Sequence, residues 1–123
     1  MLKSKLILVT VVLVLSRSLY AQGDQTKKPE AHKFAEFGLI SKHDLQNKTD
    51  ALYSEVEAEP NSQGFIINYG SVARIRARKN AIRKTRNPRC YDCVRVTFLD
   101  GPEKRGIWTV LWIAPSGADW PQP

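Results

Sequence analysis

The most concentrated chemistry in this sequence is positive charge. Residues 71–86, SVARIRARKNAIRKTR, contain seven arginine or lysine residues and no acid. A helix of this composition can neutralise phosphates or other polyanions, or it can simply present a solvated face. The segment carries no aromatic side chain on which bases could stack, so we do not expect nucleic acid as its partner. The stretch therefore predicts either an anion-binding surface or a solvated helix.

The two cysteines, Cys90 and Cys93, bracket the sequence CYDC. In an exported chain this spacing favours a small disulfide. A redox pair needs its first thiol at a helix N-terminus, where the dipole favours the thiolate, whereas CYDC follows the predicted end of a helix. The two histidines lie far away in sequence, with no spacing typical of a zinc site. We expect a disulfide, with redox and metal-binding roles as the alternatives, and no metal or other cofactor.

The sequence contains none of the common catalytic motifs. It contains no nucleophile elbow, no phosphate-binding loop and no His-Glu metal helix. Serines and acids are scattered, and their spacing singles out no pair for nucleophilic or acid–base chemistry. The sequence therefore predicts a non-enzymatic protein.

The first residues have the pattern of an export signal. Lys3 and Lys5 precede an apolar segment of ten residues, 6–15, and Ala21 offers a cleavage site. A transmembrane helix needs about 20 apolar residues, so a cleaved signal peptide over 1–21 is favoured over an uncleaved N-terminal anchor. We expect an exported protein that is periplasmic, associated with the outer membrane or secreted, with no transmembrane span after cleavage.

Charge is distributed unevenly along the chain. The net charge is +7, and beyond residue 21 there remain 16 basic and 12 acidic residues, a net charge of +4. Residues 30–59 hold seven acids against three lysines, whereas residues 71–105 hold eleven basic residues against three acids. This asymmetry favours an anionic partner. The remaining chain is long enough for one small domain.

Hydrophobic periodicity predicts two helices among the strands. The first helix has Ser41 or Asp44 as its cap and ends before Pro60, and its core positions repeat at helical spacing, namely Leu45, Leu52 and Val56. The second begins at Ser71 and has only a thin apolar stripe, which is typical of a helix laid on a sheet with most of its surface in solvent.

Four segments are predicted as strands, namely KFAEFGL, FIINYG, VRVTFL and IWTVLWIA. In the last strand Trp108 and Trp112 share a face, where we interpret them as sheet-covering aromatics. The order is (β)αβαββ, which predicts an α/β (α+β) two-layer sandwich with the helices on one face of a mixed sheet and a closing hairpin. A flexible lead over 22–32, a domain over 33–117 and an irregular tail over 118–123 complete the organisation.

Four stretches carry a resemblance to a known family. EAEPNSQGFIINYG, RARKNAIRK, RVTFLDGPEKRG and IWTVLWIAP follow one another in an order that resembles the OmpA C-terminal-like domain of bacterial outer-membrane and peptidoglycan-associated proteins. The similarity is closest to a small, divergent, exported bacterial branch of that fold, whose function is not established, and it covers about residues 33–117.

The resemblance implies one half of a binding site. In the family, an Asp after a strand and an Arg on the next helix grip the charged ends of the diaminopimelate side chain of peptidoglycan, because an Arg fork suits a carboxylate and an acid suits an ammonium. The family Arg corresponds to Arg78, with Arg76 as an alternative in an Arg-Ala dipeptide. The family Asp has no counterpart after Gly70. A carboxylate from elsewhere, such as Asp44 or Asp100, would have to replace it.

Two functions follow as expectations. The first is an exported, non-enzymatic, envelope-associated domain that keeps residual binding of peptidoglycan or other anionic groups through Arg74, Arg76 and Arg78. The alternative is a degenerate interaction module that uses the basic helix on a protein or a polyanion without binding the cell wall.

Overall fold

The structure, a computed structural model, describes residues 27–85 and 95–123. Within these ranges the chain forms four strands and two helices: β1 (His32–Phe37), α1 (Lys42–Ala58), β2 (Gln63–Gly70), α2 (Val72–Thr85), β3 (Val96–Asp100) and β4 (Ile107–Ala114). The order of elements is the predicted one. The predicted signal peptide, most of the lead before β1, and the pair Cys90 and Cys93 lie outside the described residues.

Helix α1 begins where its cap predicts. The Ser41 hydroxyl accepts a hydrogen bond from the Asp44 backbone N–H at 3.1 Å, which satisfies one of the free donors of the first turn. The helix buries a regular stripe consisting of Leu45, Thr49, Leu52 and Val56. Spacings of three and four residues place these side chains on one face, so the predicted core of α1 is confirmed.

The C-terminus of α1 is held by Arg95, the residue that precedes β3. The Arg95 side chain donates to the backbone carbonyls of Val56 and Glu59, both at 3.1 Å, and to that of Ser62 at 2.7 Å. The last carbonyls of a helix have no partner within the helix. Arg95 therefore supplies donors at this end together with the Ser62 hydroxyl, which also donates to the Val56 and Glu59 carbonyls.

The sheet is mixed, and its strand order is β1-β4-β2-β3. Strand β4 pairs antiparallel with both β1 and β2, and β3 pairs parallel with β2. The predicted mixed sheet is confirmed, but the predicted closing hairpin is wrong, because β2 separates β3 from β4. Both β2 and β4 are apolar and largely buried along their length, whereas β3 is only partly buried.

Burial explains why the hairpin does not form. Central positions in a sheet go to strands that can bury both faces, and β2 and β4 are the strands with long buried runs. They pair with each other along eight residues. The connection 101–106 has six residues, which can reach about 20 Å. Two strand spacings are only about 10 Å, so the chain can return on the far side of β2.

One hydrophobic core lies between the helices and one face of the sheet. Both helices contribute to a single cluster with the sheet, which contains Phe37, Leu45, Leu52, Val56, Ile66, Ile82, Leu111 and Ile113. The fold is therefore α+β, with two helices and a four-stranded sheet consistent with a two-layer sandwich. The opposite face buries Phe65, Ile67 and Val110, and Trp120 from the tail packs on Phe65 with ring centroids 5.0 Å apart.

Candidate functional site

Helical geometry divides the three candidate arginines between two sides of α2. Arg74 and Arg78 are four residues apart and share a side, whereas Arg76 is rotated away from both. Arg74 and Arg78 line one groove, and Arg76 lines a separate cleft. The structure thus brings two of the three predicted site residues together and separates the third.

Arg78 is buried, with 7% of its surface exposed. Its Nη1 donates to the Thr109 hydroxyl at 3.0 Å and its Nη2 to the Gly38 carbonyl at 2.9 Å. The guanidinium carbon also lies 5.4 Å from the centre of the Phe37 ring, a cation–π distance. The interpretation of the stretch as a solvated helix face is therefore wrong at this residue, which points into the space between α2 and the sheet.

A buried polar pair extends inward from Arg78. The Thr109 hydroxyl accepts from Arg78 and donates to Asn68 Oδ1 at 2.6 Å. Thr109 and Asn68 face each other across β4 and β2, and both are fully buried. Among the described residues, the Asn68 Nδ2 has no hydrogen-bond partner. The two strands thus position the acceptor that orients the guanidinium.

The charge of Arg78 has no matching carboxylate in the part of the chain that the structure describes. Three ion pairs are found there, Lys28 with Asp119, Lys33 with Glu36 and Lys79 with Asp100. Burial lowers the pKa of the Arg78 guanidinium below its usual value, although an arginine remains protonated at neutral pH. A buried cation is ordinarily paired, and here its hydrogen-bond partners are neutral.

Neither acid that could have replaced the missing Asp, Asp44 or Asp100, pairs with Arg78. Asp100 lies beside Lys79, at 3.3 Å from its Nζ, and Asp44 sits in the exposed first turn of α1. Neither acid forms an ion pair with Arg78. The acid half of the family's site therefore has no replacement among the described residues next to Arg78.

We call the space beside Arg78 the arginine groove. It has a volume of about 420 Å³ and lies between α2, the start of α1 and the β1–α1 loop. Its apolar lining consists of Leu39, Ile40, Leu45, Ala77, Ala81 and Ile107, and its charged lining of Lys42, Arg74 and Arg78. The side chain of Leu39 is 89% exposed at this groove. The described lining is therefore apolar and cationic, with no acid.

We call the space on the other side of α2 the charged cleft. It has a volume of about 380 Å³ and lies at the carboxyl ends of the parallel strands β2 and β3, a common place for ligands in open α/β sheets. Cations from α2 line one wall, namely Arg76, Lys79 and Arg83, and two acids line the other, namely Asp100 at the end of β3 and Glu103 in the loop that follows. Both charge signs are present in this cleft.

Residues 27–85 and 95–123 show neither a metal-binding cluster nor a membrane-spanning helix. No group of three or more His, Cys, Asp or Glu side chains that could hold a metal ion occurs there. Neither described helix is long and apolar enough to cross a membrane. The predicted disulfide between Cys90 and Cys93 lies outside these residues.

Sequence reasoning missed the groups that surround Arg78. Asn68 and Thr109 are polar residues in the middle of apolar strands, and this was the available signal, because such residues are buried only when they have a polar partner. The groove's apolar wall from Leu39 and Ile40 had no signal, since it depends on how the β1–α1 loop meets α2. Comparisons with protein-family models, curated proteins and solved structures find no match to this chain.

Proposed function

We propose that this chain is an exported, non-enzymatic domain that associates with the bacterial envelope by binding a carboxylate of peptidoglycan in the arginine groove. Export is inferred from the N-terminal pattern of Lys3, Lys5 and the apolar run, and the wall ligand from the resemblance to OmpA-like domains. The observation that carries the proposal is the buried, uncompensated charge of Arg78.

The cost of burying Arg78 is what supports a ligand. Its fixed partners are a hydroxyl and a carbonyl, which satisfy geometry but leave the charge uncompensated. Removing an ion from water costs several kcal/mol in a protein. A carboxylate that enters the groove would recover part of this cost, and it would meet a guanidinium already held in place by Thr109 and Gly38.

Arg74 gives the groove its second cation. It lies one helical turn before Arg78, is exposed and lines the same space. A carboxylate between Arg74 and Arg78 would accept hydrogen bonds from the oriented guanidinium of Arg78 and from the exposed guanidinium of Arg74. Charge-assisted hydrogen bonds of this kind are about twice as strong as neutral ones. The neighbouring Arg76 lines the other cleft, so it has no part in this contact.

Retention on purified peptidoglycan sacculi tests the proposal. We expect the wild-type chain to be retained at low salt, Arg78→Met to lose at least tenfold in retention, and Arg74→Ala to lose less. Lys84→Ala is the matched control, because it removes one exposed cation from the same helix outside both spaces. If Arg78→Met does not fold, Arg78→Lys keeps the charge and removes the fork. Absence of wild-type retention at low salt would overturn the proposal.

The charged cleft supports a second candidate, a module that binds a protein or polyanion through the exposed face of α2. Arg76 and Arg83 lie about two turns apart on its wall, with Lys79 between them. Binding of this kind depends on the sum of the cations and falls steadily with salt. This candidate would be favoured over groove binding if Arg76→Ala, Arg83→Ala and Arg78→Met each lowered the affinity by the same small factor. Added salt should then abolish binding by all three variants.

A further inference from the structure

We infer that the arginine groove takes an alkyl chain ending in a carboxylate whose neighbouring amine is absent or acylated, and that it rejects the free zwitterionic end. The proposed ligand is a side chain of the peptidoglycan stem peptide whose amine is acylated, as in a cross-link. This inference rests on the proposed function, since it concerns the ligand of the same groove.

The charges of the groove carry the first step. Its charged lining residues are Lys42, Arg74 and Arg78, and no acid lines it in the described chain. A free ammonium beside the ligand carboxylate would therefore face like charges. It would also lack an anionic acceptor, and an ion taken from water needs such a partner. Acylation removes the positive charge and leaves the carboxylate, so it converts a repelled group into an accepted one.

The neutral acceptors that surround Arg78 do not replace an acid as partners for an ammonium. The Gly38 carbonyl and the Thr109 hydroxyl oxygen already accept from Arg78 at 2.9 and 3.0 Å. Both bonds come from the terminal nitrogens of a guanidinium, which has five N–H donors in all. Donors are thus in surplus at this end of the groove, and a carboxylate is the group that can use them.

The apolar lining carries the second step. Six aliphatic side chains border the groove, and Leu39 among them is 89% exposed, which is a large unburied aliphatic group next to a buried cation. A volume of about 420 Å³ lies within the range typical of small-ligand sites. Each methylene that the ligand buries should raise affinity roughly fourfold. The groove thus fits the aliphatic stem of the side chain together with its terminal carboxylate.

Calorimetry on the full chain with three matched probes tests the inference. The probes are heptanedioate, 2,6-diaminoheptanedioate and its mono-N-acetyl derivative, which share one carbon chain and differ in free ammonium groups. We expect the acetylated probe and heptanedioate to bind at least tenfold more tightly than the free diamino compound. Arg78→Met should lower the affinity for heptanedioate at least tenfold, and Lys84→Ala should leave it unchanged.

A charge reversal gives a readout that a structural role would not produce. Lys42 is exposed in the first turn of α1, where an acid is favourable, so Lys42→Glu should fold. It places a carboxylate at the groove, and we expect it to shift the preference at least tenfold towards the free diamino compound.

The possible outcomes separate this inference from the proposed function. Equal or tighter binding of the free diamino compound to the wild-type chain would overturn the inference, while retention on sacculi would still stand. Octanoate binding far more tightly than heptanedioate would point to a lipid acyl chain and would also overturn it. Absence of binding by every probe, together with absence of retention on sacculi, would overturn both.

Discussion

Removing the hydroxyl of Thr109 should clearly lower the free energy of unfolding. Thr109→Val keeps the shape of the side chain, so it creates no cavity and isolates the hydrogen bonds. It removes the acceptor of Arg78 Nη1, 3.0 Å away, and the donor to Asn68 Oδ1, 2.6 Å away. Both Thr109 and Asn68 are fully buried, so water does not replace the lost partners.

The magnitude follows from these contacts. Leaving a buried polar group without a partner costs about 1–3 kcal/mol. The Asn68 side chain would lose its only described hydrogen bond, and we assign this loss about 2 kcal/mol. Arg78 borders the groove and can recover water there, so its share is about 1 kcal/mol. The added methyl group returns about 0.8 kcal/mol, which leaves a net loss of about 2 kcal/mol in the free energy of unfolding.

Urea denaturation followed by tryptophan fluorescence measures this loss. We expect a lower midpoint with an unchanged slope, and a melting temperature lower by about 8–16 °C for a domain of this size. Thr97→Val is the matched control, since Thr97 lies half-buried on the outer strand β3, and it should change stability by less than about 0.5 kcal/mol. Equal stability of the two variants would refute the reasoning that the Arg78–Thr109–Asn68 contacts stabilise the fold.

Two further predictions concern the frame of the domain. Arg95→Ala should lower the free energy of unfolding by about 1–2 kcal/mol, because it removes the charged donor shared by the Val56, Glu59 and Ser62 carbonyls and leaves the first two with Ser62 as their donor; hydrogen exchange should then speed up in the last turn of α1 only, and uniform exchange would contradict the local role. Gly101→Ala should cost about 1–3 kcal/mol in thermal melts, because its Cβ would overlap the Tyr69 ring; the cost should largely disappear in a Tyr69→Ala background, and its persistence would show that the ring is not the cause.

The sequence predicted what depends on local pattern. Ser41 and Ser71 cap the helices as expected, since each hydroxyl accepts from the backbone N–H three residues later, at 3.1 and 3.3 Å. Leu52 is buried where the helical periodicity places it. Strand order was not predictable in the same way, because pairing depends on which strands bury both faces. The assumption that neighbours in sequence form a hairpin failed at β3 and β4 for that reason.

Arg78 illustrates the limit for the site. The resemblance to OmpA-like domains selected it among seven cations, and the spacing of the buried Ile75 and Ile82, three residues before and four residues after it, places it on the core-facing side of α2. The polar partners that accept its guanidinium there belong to other strands, in the facing pair Asn68 and Thr109, and α2 gives no sign of them. Each of them alone is an ordinary polar residue in an apolar strand. Only the register between β2 and β4 places the two side by side beneath α2, where they can form hydrogen bonds.

The missing acid changes the chemistry of the groove rather than simply weakening it. An internal carboxylate beside Arg78 would compensate the buried charge, and a ligand anion would then have to displace or share that partner. With Thr109 and Gly38 as neutral partners, the guanidinium is oriented but uncompensated, so the gain on binding an anion is larger. The same absence removes the contact that would hold an ammonium. The absence of an acid from the described lining therefore favours, for the proposed binding, a singly charged, aliphatic carboxylate over a zwitterion, and Lys42→Glu should reverse that preference.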